Sequence, residues 1–336
     1  MDLHDGLGVL LALDRQRCAG SCGTAWAAAP APRRFRLGLL ALGSSLRVLL
    51  PFVALGAAPV PARVVTLAPS LTEIVFALGA GDRLVGVSSY CDYPDEAKAI
   101  DRVGTFLQPN IEVILKKTPD LVFAVPSPEN RSAVGTLREL GVRVRVVRPG
   151  KLDSLFEAIE VIAGDLGLED TGRRLVTDIR RHIAAVRARL AGVEKRRVLM
   201  VVGRRPLIAV GGGTYQSELI EMAGGANIVG DSSEAWPHVS LEYVISRAPE
   251  VIIDSGMGPQ DHDGDIAVFW GAFPTIPAVR DDRVVGSGRY DLLRAGPRAA
   301  ETLEAMARFI HPEAFAGASV GDLPAAAETS SREAAD

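Results

Sequence analysis

The sequence predicts an α/β protein: two lobes with parallel sheets joined by one long rigid α-helix. Three observations carry that prediction. First, a phrase recurs: NIEVILKKTPDLVFA at 110–124 returns as SLEYVISRAPEVIID at 240–254. Ile111 matches Leu241, Glu112 matches Glu242, Ile114 matches Val244, Pro119 matches Pro249 and Leu121 matches Val251, each pair 130 positions apart. Second, β-branched runs alternate with helical periods around each copy, the order that pairs strands in parallel through helical crossovers. Third, one amphipathic segment lies between the copies, with no strand after it until Arg197. A supersecondary phrase said twice implies two similar lobes, here Rossmann-like ones with the lone helix as connector.

In order, RVVTLAP at 63–69 reads as a buried strand ended by a proline. Ser70 then offers a helix N-cap and Glu73 the reciprocal member of a capping box, with Gly79 or Gly81 as the stop. LVGVSS (84–89) is the next strand, IEVILKK a short helix ended by Pro119, DLVFAV (120–125) a strand, SAVGTLRELG a helix and VRVRVV (142–147) a strand. LDSLFEAIEVIAGDLG is an amphipathic helix. In 169–193, Leu175, Ile179, Ile183, Val186 and Leu190 recur at spacings of three and four, opposite a face of six arginines; His182 is expected to face solvent. The order then restarts with RVLMVVG (197–203) and a loop and helix in GGGTYQSELIEMAGG (211–225). NIVGDSS echoes LVGVSS, and Gly224 follows its helix as Gly79 does. The expected divisions are an N-terminal extension and signal segment at 1–62, a first lobe at 63–168, the connecting helix at 169–193, a second lobe at 194–316 and a disordered tail at 317–336.

Composition narrows the function. A chain of 336 residues with 48% hydrophobic and 23% charged residues is long enough for sizeable cores. Its net charge of −4 argues against a nucleic-acid partner. The first 62 residues carry +3 and the rest −7. Arg33, Arg34 and Arg36 precede the apolar run LGLLALGSSLRVLLPFVALGAAPVPA, which ends in small residues: the pattern of a secretory signal, cleaved after Ala58 or Ala62 or retained as an anchor. Arg47 and Pro51 interrupt the run, against a lasting membrane span. Cys18 and Cys22 precede the signal, leaving Cys91 as the single thiol of a mature chain, with no internal disulfide and no cysteine metal cluster.

Candidate residues fall in two groups. Glu112 and Glu242 open matching short helices, where a carboxylate gains roughly 0.3–1 kcal/mol from free amides and the helix dipole. That gain accounts for each singly; the alternative is that both sit exposed, one per lobe, and meet two basic pockets on a two-fold partner. The second group is aromatic. Tyr90 and Tyr93 in SSYCDYP, Phe106 in GTFLQPN and Trp236 in EAWPHVS lie in loops after strands, among only 18 aromatics in the chain. Ligands of open parallel sheets bind beyond the carboxyl ends of the strands, so such loops would build a cleft for a large flat ligand. The plain alternative is that each ring plugs a loop base. His238, in the same loop as Trp236, is either a polar rim residue or a contact to a ligand or its metal. GGGTYQ lacks both the third glycine of a dinucleotide fingerprint and the lysine of a phosphate loop. DHDGD at 261–265 has its glycine too early for a calcium loop, and no residue set suits acid–base or nucleophilic catalysis.

RVVTLAPSLTEIVFALGAGDRLVGVSSYCDYP, the NIE…PDLV phrase and AWPHVSLEYVISRAPEVII together resemble the cobalamin-binding periplasmic proteins of ABC importers, within the metal-chelate class of solute-binding proteins, from about Arg63 to Pro312. The resemblance implies a class III periplasmic binding protein, not an enzyme, that carries cobalamin or another corrinoid between its lobes, needs no cofactor, and acts as a monomer. It implies salt bridges from Glu112 and Glu242 to arginines on the two copies of a membrane permease, and corrinoid contacts by Tyr90 and Trp236. The family position at Phe106 is often Trp, and His238 stands where Gln is expected, a change that bears on ligand preference. The region SGRYDLLRAGPR (287–298) matches only loosely. A ferric siderophore or haem carrier on the same scaffold, with Arg102, Arg204 and Arg205 as cationic candidates, is the competing expectation. An enzyme acting on a metal chelate is a further one.

Overall fold

A computed structural model describes residues 59–256, 265–286 and 290–317. The expected signal segment apart from residues 59–62, the DHDGD loop apart from Asp265, and nearly all of the expected tail lie outside the described residues. Among the described residues no helix is long and apolar enough to cross a membrane.

The first sheet holds β1 (Val64–Thr66), β2 (Leu84–Val87), β3 (Leu121–Ala124) and β4 (Val144–Val146), all parallel in the order β2-β1-β3-β4. The crossovers are helical: α1 (Pro69–Ala77), α2 (Ile111–Lys116) and α3 (Arg131–Glu139), with α4 (Leu152–Asp165) after β4. The second sheet has the same plan. β5 (Arg196–Arg204) runs parallel to β7 (Gly225–Asn227) on one edge and to β8 (Val251–Asp254) on the other, and β9 (Val284–Gly286) follows β8. Its helices are α6 (Tyr215–Met222), α7 (Leu241–Arg247), α8 (Asp265–Gly271), α9 (Pro277–Arg280) and α10 (Ala299–Ile310). One element breaks the parallel expectation: β6 (Leu207–Ala209) folds back antiparallel on the end of β5.

The repeat extends to the backbone. Thr118 and Ala248, again 130 apart, both adopt the left-handed region, at φ 43 and φ 47, and each precedes a proline. Proline disfavours the right-handed helical conformation in the residue before it, so each short helix stops there. Gly79 and Gly224 take φ +75 and φ +78 just past α1 and α6, where a residue with Cβ would be strained. The expected capping box does not form. α1 starts at Pro69, whose missing N–H suits a first turn, and Ala68 is the N-cap. Ser70 is therefore already helical, and Glu73 is buried in a cross-lobe ion pair instead.

Helix α5 (Glu169–Arg189) is the long connector, 21 residues and so about 31 Å at 1.5 Å per residue. Its apolar stripe packs against α4 on one side and α10 on the other. The approach to α4 is close: a Cβ on Gly172 would meet the Ala163 Cβ at 2.5 Å. One buried cluster therefore runs from Leu71 and Ile74 of the first lobe through Ile179 and Val186 to Leu303 and Met306 of the second. His182 is not solvent-facing. It lies three residues after Ile179 on the inward stripe, and its Nε2 donates to Glu304 Oε2 at 3.0 Å. Glu304 is held in turn by Arg308 of its own helix.

Candidate functional site

The loops singled out from the sequence follow strands or lead into the short helices of the two sheets. Tyr90 lies in the turn after β2 and is half-buried. Phe106 lies in the 104–110 loop that leads into α2, and its carbonyl accepts a hydrogen bond from Asn130 Nδ2 at 3.2 Å. Trp236 and His238 lie in the segment before α7. Phe106 and Trp236 are buried, 3% and 8% exposed, at separate places in the core that runs through α5 from one lobe to the other, while His238 is exposed.

The Trp236 segment is fixed by β6, the element absent from the sequence reading. Ala209 N–H donates to Pro237 O and Val239 N–H to Leu207 O, both at 3.0 Å, with an antiparallel bridge between Ile208 and His238. Side chains alternate along such a pair. Leu207, Ala209 and Val239 accordingly face the cluster beneath α7 and α8, while Ile208, Val210 and Trp236 face the cluster shared between lobes.

Glu112 and Glu242 occupy equivalent and exposed places in the first turns of α2 and α7. The caps are equivalent too: Asn110 Oδ1 accepts from Val113 N–H at 3.1 Å, and Ser240 Oγ from Tyr243 N–H at 3.2 Å. The backbone amide of Glu242, and then the Ser240 hydroxyl, hold its carboxyl below the usual range. Two exposed carboxylates are thus presented on matching short helices.

Sequence reasoning missed the charges that join the lobes. Glu73 of α1, 2% exposed, accepts from Arg298 Nε at 3.0 Å and Nη2 at 2.9 Å, and from Arg294 Nη1 at 3.3 Å. Arg294 also donates to Asp92 at 2.5 and 3.2 Å and to the Tyr90 carbonyl at 3.4 Å. The Arg298 guanidinium lies 3.9 Å from the centre of the Tyr93 ring. Burial pushes the Asp92 carboxyl up, but the hydrogen bonds and charge of Arg294 outweigh it and hold the group below its ordinary value. The loop carrying Tyr90 is therefore braced by residues some 200 positions away. From the other side, Arg102 Nη1 donates to the carbonyls of Ser88 and Cys91. Burial raises the Cys91 thiol to about 11, so it is an inert core group.

Of the other cationic candidates, Arg204 is buried against Asp254, which also accepts from Trp270 Nε1 at 2.8 Å. Burial raises the Asp254 carboxyl, against those hydrogen bonds. Arg205 is exposed beside Val268, Phe269 and Phe273 at the rim of a surface groove of about 300 Å³. Among the described residues no group of three or more His, Cys, Asp or Glu could hold a metal ion.

Two α/β lobes with one fold plan and a connecting helix are the architecture of a two-lobed solute-binding protein. The chain belongs to the periplasmic binding protein family, whose model matches residues 64–287. It is 33% identical over 243 residues to the vitamin B12-binding protein of Yersinia pestis, covering 72% of this chain and 86% of that one. The crystal structure of the periplasmic vitamin B12 binding protein BtuF of Vibrio cholerae superposes with a TM-score of 0.66 at 31% identity, covering 76% of this chain and 98% of that one. The apo periplasmic heme-binding protein RhuT from Roseiflexus sp. RS-1 superposes with a TM-score of 0.68 at 27% identity, covering 75% and 98%.

Proposed function

We propose that the protein captures cobalamin or a related corrinoid between its lobes in the periplasm and hands it to an ABC-type permease, making and breaking no covalent bond of its cargo. The observation that supports this reading is the likeness over 243 residues to a vitamin B12-binding protein, together with half-buried Tyr90 and exposed His238 on loops that also hold, or lie beside those that hold, the buried rings of Trp236 and Phe106. Flat aromatic faces suit a macrocycle, and affinity comes from apolar burial in a cleft with few moving parts. The 33% identity to a vitamin B12-binding protein supports the corrin rather than another chelate. Glu112 and Glu242 are the docking carboxylates, one for each permease subunit, and the segment ahead of residue 63 directs export. Calorimetry with cyanocobalamin tests the reading: saturable heat at micromolar protein is expected, and silence there would remove the corrinoid.

A haem carrier is the second reading, favoured by the resemblance to the Roseiflexus heme-binding structure. It predicts that hemin displaces cyanocobalamin or binds alone. An acidic siderophore is less well served, because Arg102 and Arg204 are engaged inside the protein.

A further inference from the structure

The first lobe opens with a tie that recurs in the second. Arg63 N–H donates to Asp120 Oδ2 at 2.9 Å, Asp120 N–H returns to the Arg63 carbonyl at 2.8 Å, and Arg63 Nε donates to the Lys117 and Thr118 carbonyls at 2.9 and 3.2 Å. At the start of β5, Arg197 N–H donates to Glu250 Oε2 at 2.9 Å, Glu250 N–H returns to the Arg197 carbonyl at 2.8 Å, and Arg197 Nε donates to the Ala248 carbonyl at 2.9 Å. Each acid follows the proline that succeeds a left-handed residue.

One difference separates the two ties. Glu250 accepts the Arg197 N–H, whereas Asp120 Oδ2 accepts two main-chain N–H groups, the second from Ala62 at 2.9 Å. β5 begins one residue before its arginine, but β1 begins only at Val64. Residues 59–62 therefore belong to no strand. Pro61 is buried, while Val60, Ala62 and Arg63 are exposed. The tie that the lobes share needs nothing ahead of Arg63.

Two small-residue sites precede it, after Ala58 and after Ala62, and they differ chemically. The bond after Ala58 is a tertiary amide to Pro59, whose ring takes the place of an N–H. A peptidase that aligns an extended substrate by main-chain hydrogen bonds loses a donor there and meets the ring. The bond after Ala62 is a secondary amide to Arg63.

We propose that export ends in a cut between Ala62 and Arg63, made by a signal peptidase, and that Asp120 receives the new terminus. This rests on the export reading above. Hydrolysis adds one water across that amide: Ala62 leaves as a carboxylate on the signal segment, and Arg63 keeps the nitrogen as an α-ammonium. The cut gives up the Ala62 hydrogen bond and the burial of Pro61. In return, the nitrogen that lies 2.9 Å from Asp120 Oδ2 gains a full charge, and charge-assisted hydrogen bonds are the strong ones. The first lobe then begins on an ion pair where the second has a neutral amide.

Intact mass and terminal-peptide mapping of the full-length product, recovered after expression in cells, test the cut. A chain starting at Arg63 is expected outside the cytoplasm. Ala62→Phe should abolish that start, and Ala58→Phe should leave it unchanged. A start at any other residue, an exported chain that keeps the segment, or an Arg63 start that survives in Ala62→Phe overturns the cut and leaves the export reading standing. A chain confined to the cytoplasm with the segment attached overturns both. Acylation of the terminal amine at about pH 7 tests the receptor, since an unperturbed α-amine titrates at about 7.7–8.0 and a carboxylate partner holds it in the unreactive charged form. Labelling at Arg63 should be about threefold faster or more in Asp120→Asn than in the unaltered protein, and unchanged in Glu250→Gln. Equal rates in all three proteins remove Asp120 as the receptor.

Discussion

The two lobes share one plan, yet they brace their cleft loops differently. In both, a capped short helix presents a carboxylate outward and stops at a left-handed residue before proline. In the first lobe the loop with Tyr90 is tied to the other lobe, through Arg294 and Arg298. In the second lobe the loop with Trp236 is tied to its own sheet, through β6. The outward element has stayed symmetric, while the inward elements have diverged. A symmetric partner outside and a single asymmetric guest inside would impose that difference.

The strongest way to break this comparison is to invert the symmetric part. Reversing both carboxylates, Glu112→Arg with Glu242→Arg, places like charges against a basic partner, and such juxtapositions cost several kcal/mol. Uptake by cells should fall more than a hundredfold while corrinoid binding measured by calorimetry is retained. Unchanged uptake would remove the docking role from both lobes at once. Next comes the asymmetric brace. Glu73→Ala removes a buried acid from two arginines, and breaking such a pair costs about 3–5 kcal/mol; chemical denaturation reads this directly. A loss below about 1 kcal/mol would mean that the lobes are held by their shared apolar cluster alone.

A smaller effect sharpens the symmetry. Asn110→Ala and Ser240→Ala each remove one N-cap bond, worth about 1 kcal/mol. Equal losses are expected, and a clear inequality would show that the two short helices bear different loads. The smallest effect concerns acid. The folded-state carboxyl of Asp92 is held below its ordinary value of 3.8, so its stabilisation is present above that value and is lost as pH falls through the lower folded one. Asp92 is substantially exposed, so this amounts to under about 1 kcal/mol. Asp92→Asn should lower stability at pH 7 and flatten the fall below about pH 4. Parallel acid curves for the two proteins would exclude Asp92 from the brace.

Much of this was legible in the chain. The 130-residue offset located α2 and α7, β3 and β8, and the pair of outward acids. Hydrophobic period located α5, although His182 was misread, because a histidine within an apolar stripe can be buried only when a partner such as Glu304 comes from a helix over a hundred residues away. Glu73 was misread for a related reason: a glutamate three residues after a serine satisfies a local rule equally well whether or not an arginine waits across the lobe interface. β6 went unseen because three residues after a turn carry too little pattern.

The sequence by itself determined whatever depends on near neighbours: strand and helix periods, helix stops, caps, and the repetition of all of these in a second lobe. Only the tertiary structure decided which charges cross between lobes and which aromatic rings are buried. Those outcomes depend on groups distant in sequence arriving at one place, where burial makes an unpaired charge costly and so selects its partner.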